Sequence, residues 1–282
     1  MDRVLIDKAK CIKCGKCVNE CPGDVLSLNG ILEITQPELC IACGHCAAIC
    51  PEEAIKSSEF DSQKYFRVQE IPNDLLPERL LFHKKRSIRC MRDGALNMET
   101  IKELVNYAEK APSSHNLRHR KYLVLTGFDE IRGVRKQIVS TYRNLLLVLN
   151  PLILGLISIV DKKASDEMRD LSRSFRNLIA EDRKGNDKVF RNAKCIICIA
   201  APTGSTQSRD DCIAAQHYMM LFGKTLGIDS FIVGYAQHAH RAIEKAIRFE
   251  KGYSVFSVSA FGFAKTDYHK EVVYPEPQII WK

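Results

Sequence analysis

Eight cysteines crowd the first fifty residues in two copies of one pattern. Cys11-Ile-Lys-Cys14-Gly-Lys-Cys17-Val-Asn-Glu-Cys21-Pro22 reads C-x2-C-x2-C-x3-C-P, and Cys40-Ile-Ala-Cys43-Gly-His-Cys46-Ala-Ala-Ile-Cys50-Pro51 repeats it. Three cysteines at two-residue gaps let a tight loop wrap one face of a cubane and point three sulfurs at three irons. The fourth sulfur does not fit the same loop without strain, so each loop's last cysteine serves the other copy's cluster. The pattern predicts two [4Fe–4S] clusters, one on Cys11, Cys14, Cys17 and Cys50 and the other on Cys21, Cys40, Cys43 and Cys46. A pair of zinc sites is the competing reading. Zinc takes four ligands in two C-x2-C pairs, and the third cysteine of each loop would be surplus.

Residues 1–56 resemble the bacterial two-cluster ferredoxins on these motifs. Short strands (Val4–Asp7, Ile31–Ile34) precede each cysteine loop, and short helices follow near Cys17–Cys21 and Cys46–Cys50. So small a segment buries too little apolar surface to hold itself together, and ligation supplies the missing stability. Without metal it is expected to be locally unfolded. His45 lies inside the second loop; with four thiolates available it reads as a solvent-side residue, able to tune potential through hydrogen bonding. The first residues carry no apolar leader, so the thiols are expected to stay reduced in a cytoplasm.

Charge divides unevenly along the chain. The total is +8, but residues 1–56 hold six basic and eight acidic side chains, leaving +10 on the remainder. A basic surplus confined to the rest suits a phosphate-bearing cofactor and an anionic partner. No nucleic-acid reader motif is present, and nucleic-acid binding is not expected. The longest apolar stretch, Leu145 to Val160, is interrupted by Asn150 and Pro151 and is too short to span a bilayer. It reads as a buried helix–turn segment or a subunit interface, and no membrane span is expected.

Residues 57–80 are polar with scattered aromatics and read as a linker. From 81 to 282 the pattern is mixed. Ile101, Leu104, Val105 and Ala108 recur at helical spacing behind a Thr100-x-x-Glu103 capping box, and Pro112 stops the helix. Lys121–Thr126, Cys195–Ala200, Ser230–Val233 and Val255–Phe261 read as strands, and Asp211 to Leu226 as a long helix closed by Gly227. Cys90, Cys195, Cys198 and Cys212 complete the twelve cysteines. Cys90 reads as structural, and Cys195 and Cys198 as packing residues on one strand face. Helices and strands do not alternate strictly, and no G-x-G-x-x-G follows a strand, which argues against a Rossmann domain.

Two motifs carry chemistry. Lys84-Lys85-Arg86-Ser87-Ile88-Arg89 packs cations around a hydroxyl, which suits a phosphate and a polar ribityl chain. Ala111-Pro112-Ser113-Ser114-His115-Asn116 sets small polar side chains at a turn, where they can hydrogen-bond the edge of a flat heterocycle.

R-S-x-R followed by A-P-S-S-x-N at the end of the next helix resembles the FMN-dependent nitroreductase family, and the resemblance runs across most of residues 80–265. Phe190-Arg-Asn-Ala193, Asp211-x4-Gln216, Leu226-Gly227-Ile228, Phe231-Ile232-Val233-Gly234 and Gly262-Phe263-Ala264 continue it. The resemblance implies that Lys85, Arg86, Ser87 and Arg89 bind the FMN phosphate and ribityl chain. Pro112, Ser113, Ser114 and Asn116 would line the isoalloxazine, Val233 and Gly234 would offer backbone to it, and Lys265 or Lys270 would complete the phosphate site. It also implies an α+β fold, a small two-cluster ferredoxin domain fused to an FMN domain, and a homodimer with FMN between subunits. One departure is Leu117-Arg118-His119-Arg120, where many relatives carry a Gln-Pro-Trp-like run; it adds charge near the expected pocket. His238 and His240 read as surface residues, and Trp281 as an anchor for the tail on a partner subunit.

The expected activity is electron transfer from a low-potential donor such as a soluble ferredoxin, through the clusters to FMN, and on to an organic acceptor of nitro, quinone or enone type. Arg89 is the candidate for tuning the flavin, and no side-chain acid is required. The reverse flow, with NAD(P)H reducing FMN and the clusters reducing a carrier, is the alternative. A non-enzymatic electron-transfer module is the third reading.

Overall fold

The computed structural model describes residues 3–57, 66–67, 77–268, 270–271 and 276–282. The chain divides into two compact units, Met1–Lys84 with Thr266–Lys282, and Lys85–Lys265. The tail after Lys265 thus groups with the cysteine-rich unit, whereas the sequence reading placed it in a domain running from 81 to 282. Most of the expected linker, 58–65 and 68–76, lies outside the described residues. Its last residues open a helix, α3 (Pro77–Lys84).

The first unit is built on an internal duplication. Helices α1 (Lys16–Glu20) and α2 (His45–Ile49) each start behind a left-handed glycine, Gly15 at φ 73° and Gly44 at φ 69°. Strand β1 (Val4–Ile6) pairs antiparallel with β4 (Ile55–Ser57), and β2 (Leu26–Leu28) with β3 (Leu32–Ile34). Val4, Leu26, Leu32, Ile49 and Ile55 form a small core. The tail adds a short ladder, β5 (Phe66–Arg67) with β11 (Lys270–Glu271).

The second unit is a three-layer α+β body. Its sheet runs β6 (Met91–Arg92), β10 (Tyr253–Ala264), β8 (Cys195–Pro202), β7 (Lys121–Leu125), and β9 (Asp229–Ile232) also pairs with β10. All the named pairings are antiparallel. On one face α4 (Met98–Ala108) and α8 (Ser208–Thr225) pack through Leu104, Ala108, Ala215 and Met219. The other face takes α5 (Phe128–Val148), α7 (Lys162–Arg183), α9 (Gly234–His238) and α10 (His240–Ala246) through Ile138, Leu178, Ala236 and Ile243.

Three local expectations are corrected. Helix α4 starts at Met98, and its cap is Asn97, whose Oδ1 accepts from the Thr100 N–H at 2.7 Å; asparagine is as strong an N-cap as serine or threonine, and it sits one turn earlier. Cys195 and Cys198 are buried on opposite sheet faces, because an odd separation in a strand alternates the side. The apolar stretch 145–160 does form a turn, with Asn150 Oδ1 accepting from the Ile153 N–H ahead of α6 (Pro151–Val160). However, Leu147, Val148, Leu156, Ile159 and Val160 are exposed while Leu154 is buried, so a single chain buries the stretch only in part. Among the described residues no single helix is long and apolar enough to cross a membrane; α5 and Ile153–Val160 pass that test only as a pair bent by 66°.

Candidate functional site

The eight N-terminal cysteines part into two sets of four. Cys11, Cys14, Cys17 and Cys50 line one cavity, together with Gly15, Leu28 and Ile55. Cys21, Cys40, Cys43 and Cys46 line another, together with Gly23, Leu39 and His45. The last cysteine of each motif therefore crosses to the other motif's cavity. Both crossing sulfurs accept a backbone N–H at 3.3 Å, Val25 to Cys21 and Ala54 to Cys50. Each donor lies four residues after its cysteine, and left-handed residues precede it at Asp24 and Glu53, both at φ 52°. The loops match likewise at Lys13 (φ 58°) and Ala42 (φ 52°).

Burial pushes the Cys17 thiol up to about 12, and the neighbouring Cys50 and Cys14 push the same way. Burial raises Cys46 further, with Cys43, Cys21, Cys17 and Cys40 adding to it. Thiols so placed bind metal by giving up protons, which couples ligation to folding of the unit. Sulfurs disposed around cavities, with backbone donors aimed at them, fit a pair of cubanes better than two single ions. Gly23 is fixed by close approach: a Cβ there would stand 2.4 Å from the Leu39 carbonyl oxygen, next to Cys40. His45 is corrected from a solvent-side residue to a buried one, 8% exposed, packed edge-on against Tyr268.

In the second unit, Lys85–Arg89 lies along β9. Ser87 bridges Ser230, and the Ile88 N–H donates to the Ser230 carbonyl at 3.2 Å. Lys85 and Arg86 each donate to the other's backbone carbonyl, at 2.9 and 2.8 Å. The remaining Arg86 donors, Nε and Nη2, are buried with no hydrogen-bond partner. Buried guanidinium donors left unsatisfied are costly, and an anion is their natural complement. Burial lowers the Lys85 pKa to about 8; Asp229 opposes the shift, while Lys224, Arg86 and Arg89 add to it. Lys224 pairs with Asp229 at 2.6 Å. The Lys265 N–H donates to the Cys90 carbonyl at 3.0 Å, which sets Lys265 opposite Cys90, the residue after Arg89. Lys270 lies in the first unit, paired in register with Arg67.

Val233 is buried and held by its N–H on the Val258 carbonyl at 2.9 Å, while Gly234 is exposed at the start of α9. Nothing lies within 4 Å of a Cβ built on Gly234, so its backbone faces open space. The turn after α4 is tied to α8: the Ser114 N–H donates to Asp211 Oδ1 at 2.9 Å. Ser113 Oγ accepts from the Arg118 N–H, and Asn116 Oδ1 from Arg118 Nε. His115, Asn116 and Arg118 are all left-handed.

Sequence reasoning missed the parts that hold this turn. Arg120 has a fully buried side chain and donates to Glu109 Oε1 and to the carbonyls of Ala111, Pro112 and Asp211. Among the departures from the expected run, it is a clamp and not a pocket charge. Asp211 and Lys224 also stand at opposite ends of α8, about 20 Å apart at 1.5 Å per residue. Within one chain the two motifs therefore sit far apart.

The nitroreductase family model matches residues 83–263, and a 4Fe–4S dicluster domain model matches residues 3–51. No curated protein matches the chain. Solved structures share the fold at low identity. A nitroreductase with bound FMN from Desulfitobacterium hafniense DCB-2 is 19% identical with a TM-score of 0.52, over 72% of this chain and 96% of that one. A nitroreductase with bound FMN from Bacteroides fragilis NCTC 9343 is 14% identical with a TM-score of 0.54, over 73% and 100%. A BluB-like flavoprotein from Clostridium difficile 630 is 16% identical with a TM-score of 0.51, over 72% and 95%. The chain belongs to the nitroreductase family of FMN-dependent oxidoreductases and carries a 4Fe–4S dicluster domain ahead of it.

Proposed function

We propose that this chain is an iron–sulfur flavoprotein that takes single electrons from a low-potential donor, such as a soluble ferredoxin, through two [4Fe–4S] clusters to FMN, and so reduces a small organic acceptor of nitro, quinone or enone type. The observation that carries the reading is the parting of eight cysteines into two four-sulfur cavities, on the same chain as a cluster of cations with orphaned guanidinium donors at Arg86. A flavoprotein fed by hydride alone has no use for the first of these.

When bound, FMN supplies the exchange between one-electron and two-electron chemistry. The residues of this chain do the rest. Arg86 Nε and Nη2, with Lys85 and Lys265, would hold the phosphate, and Ser87 the ribityl chain. Arg89 would place positive charge where the reduced ring is negative. Val233 and Gly234 would present backbone to the ring edge. Pro112, Ser113, Ser114 and Asn116 would line the ring from a second copy of the chain, because α8 keeps that turn away from its own cation pocket. The same separation favours a homodimer as the working unit.

Anaerobically purified protein is expected to carry iron near two cubanes and one flavin per chain, and to bleach on addition of reduced ferredoxin with turnover of a nitroarene or quinone. Zinc in place of iron, or a colourless preparation, would overturn the reading. Rapid bleaching by NAD(P)H with reduction of an added carrier would reverse the direction of flow.

A further inference from the structure

The two halves of the cluster unit are related by a shift of 29 residues in the cysteine positions, and the side chains around the sulfurs break that relation. Lys13 and Lys16 in the first loop correspond to Ala42 and His45 in the second. Glu20, which adjoins Cys21, corresponds to Ile49. Glu20 is fully buried, and His45, beside Cys46, is nearly so. Both neighbouring cysteines line the same cavity. The imidazole lines the cavity of Cys21, Cys40, Cys43 and Cys46 and the carboxylate belongs to the residue next to Cys21, while Lys13 and Lys16 line the cavity of Cys11, Cys14, Cys17 and Cys50.

The C-terminal segment reaches the same place. Tyr268 Oη donates to Glu20 Oε2 at 3.2 Å, and its ring stands edge-on to His45 with centroids 5.6 Å apart. Tyr268 also packs against the unit's core. Two residues on, Lys270–Glu271 pairs with Phe66–Arg67, and Glu271 bonds His83. The tail is therefore anchored on the unit at more than one point.

We propose that Tyr268 is a positioning residue that sets the reduction potential of the cluster on Cys21, Cys40, Cys43 and Cys46 apart from that of its twin, acting through Glu20 and His45. The proposal rests on the two-cluster reading above. Each cluster takes one electron, and nearby charge, hydrogen bonding and solvent exposure set how readily it does so. A negative charge at buried Glu20 disfavours the added electron, and half-buried Lys16 in the opposite loop favours it at the other cluster, while exposed Lys13 is screened. Arg3 Nη1 donates to the Cys40 carbonyl at 2.7 Å, but Arg3 is exposed and its charge is screened. The cluster on Cys21, Cys40, Cys43 and Cys46 is therefore the lower-potential one. The Tyr268 hydroxyl, by donating to Glu20, limits how far it falls, and electrons run downhill from that cluster to its twin.

The test is an anaerobic potentiometric titration of the holoprotein with dithionite, followed by electron paramagnetic resonance. Wild type is expected to show two distinct potentials. Glu20→Gln should raise the lower one by at least a tenfold change in its one-electron equilibrium, 59 mV, and leave the higher one in place. Tyr268→Phe keeps the ring and should lower the same potential, and the fall should be smaller in the Glu20→Gln background, since the Tyr268–Glu20 bond couples the two. Full iron content with no fall in Tyr268→Phe, or with equal movement of both potentials, would overturn this proposal and leave the two-cluster reading standing. Protein that assembles no cubane at all would overturn both.

Discussion

Asp211 Oδ1 accepts the backbone N–H of Ser114 at 2.9 Å across 97 residues of sequence. This bond joins the turn carrying Ser113, Ser114 and Asn116 to the first turn of α8. Arg120 closes the same corner from below by donating to the Asp211 carbonyl at 3.2 Å. The turn keeps three left-handed non-glycine residues in place, which cost energy and persist only when their surroundings over-determine them.

Asp211→Ala should free that turn. A hydrogen bond to a carboxylate is worth about 1.5–3 kcal/mol, and Asp211 is nearly buried. The expected loss of stability is about 2 kcal/mol by urea unfolding, together with weaker flavin retention. A variant as stable as wild type that kept its flavin through gel filtration would show that the turn is held some other way.

Arg120→Met should cost more, about 3–5 kcal/mol, because it leaves Glu109 without its ion partner and three carbonyls without their donor. Thermal unfolding of the apo-flavin protein reads this directly. The clamp acts on folding and not on the pocket's charge, so the variant's salt dependence of FMN binding should match wild type.

How much of this was legible in the sequence depends on the range of the interaction. The cysteine loops are local: ligand spacing and the proline after each motif are covalent constraints, and the four-and-four partition follows from them. The phosphate and ring motifs are local as well. What holds them is not. Arg120 reads as one cation in a run of them, and nothing nearby marks it as buried. Asp211 reads as an ordinary acidic residue in the first turn of a helix. The separation of the two motifs along α8 becomes visible only once Ser114 meets Asp211 at one end and Lys224 meets Asp229 at the other. His45 was misplaced for the same reason, since Tyr268, which covers it, comes 223 residues later.

Gly23→Ala should damage one cluster and spare the other. The added methyl would meet the Leu39 carbonyl oxygen, a backbone atom that cannot swing aside, immediately before Cys40. The equivalent position in the second motif is Glu52, so the restriction belongs to one loop only. The expected product carries roughly half the wild-type iron, that of a single four-iron cluster, by colorimetric assay. Full iron content, or the loss of all of it, would contradict the local argument.

Lys85 gives a pH dependence with a definite sign. Burial lowers its pKa to about 8 in the folded chain, whereas an unfolded lysine titrates near 10.4. Between those values the unfolded chain binds the extra proton, so folding stability of the flavin-free protein rises with pH from about 8 toward 10. Below about pH 8 both states are charged, and the penalty for burying the ammonium is fully present. At roughly 1.4 kcal/mol per pKa unit the rise amounts to a few kcal/mol. Lys85→Met should flatten this slope in urea titrations run across the window. Excess FMN should flatten it too, because a phosphate beside Lys85 restores the charged form. A slope that survives the substitution belongs to other groups, and would remove Lys85 from the anion pocket's electrostatics.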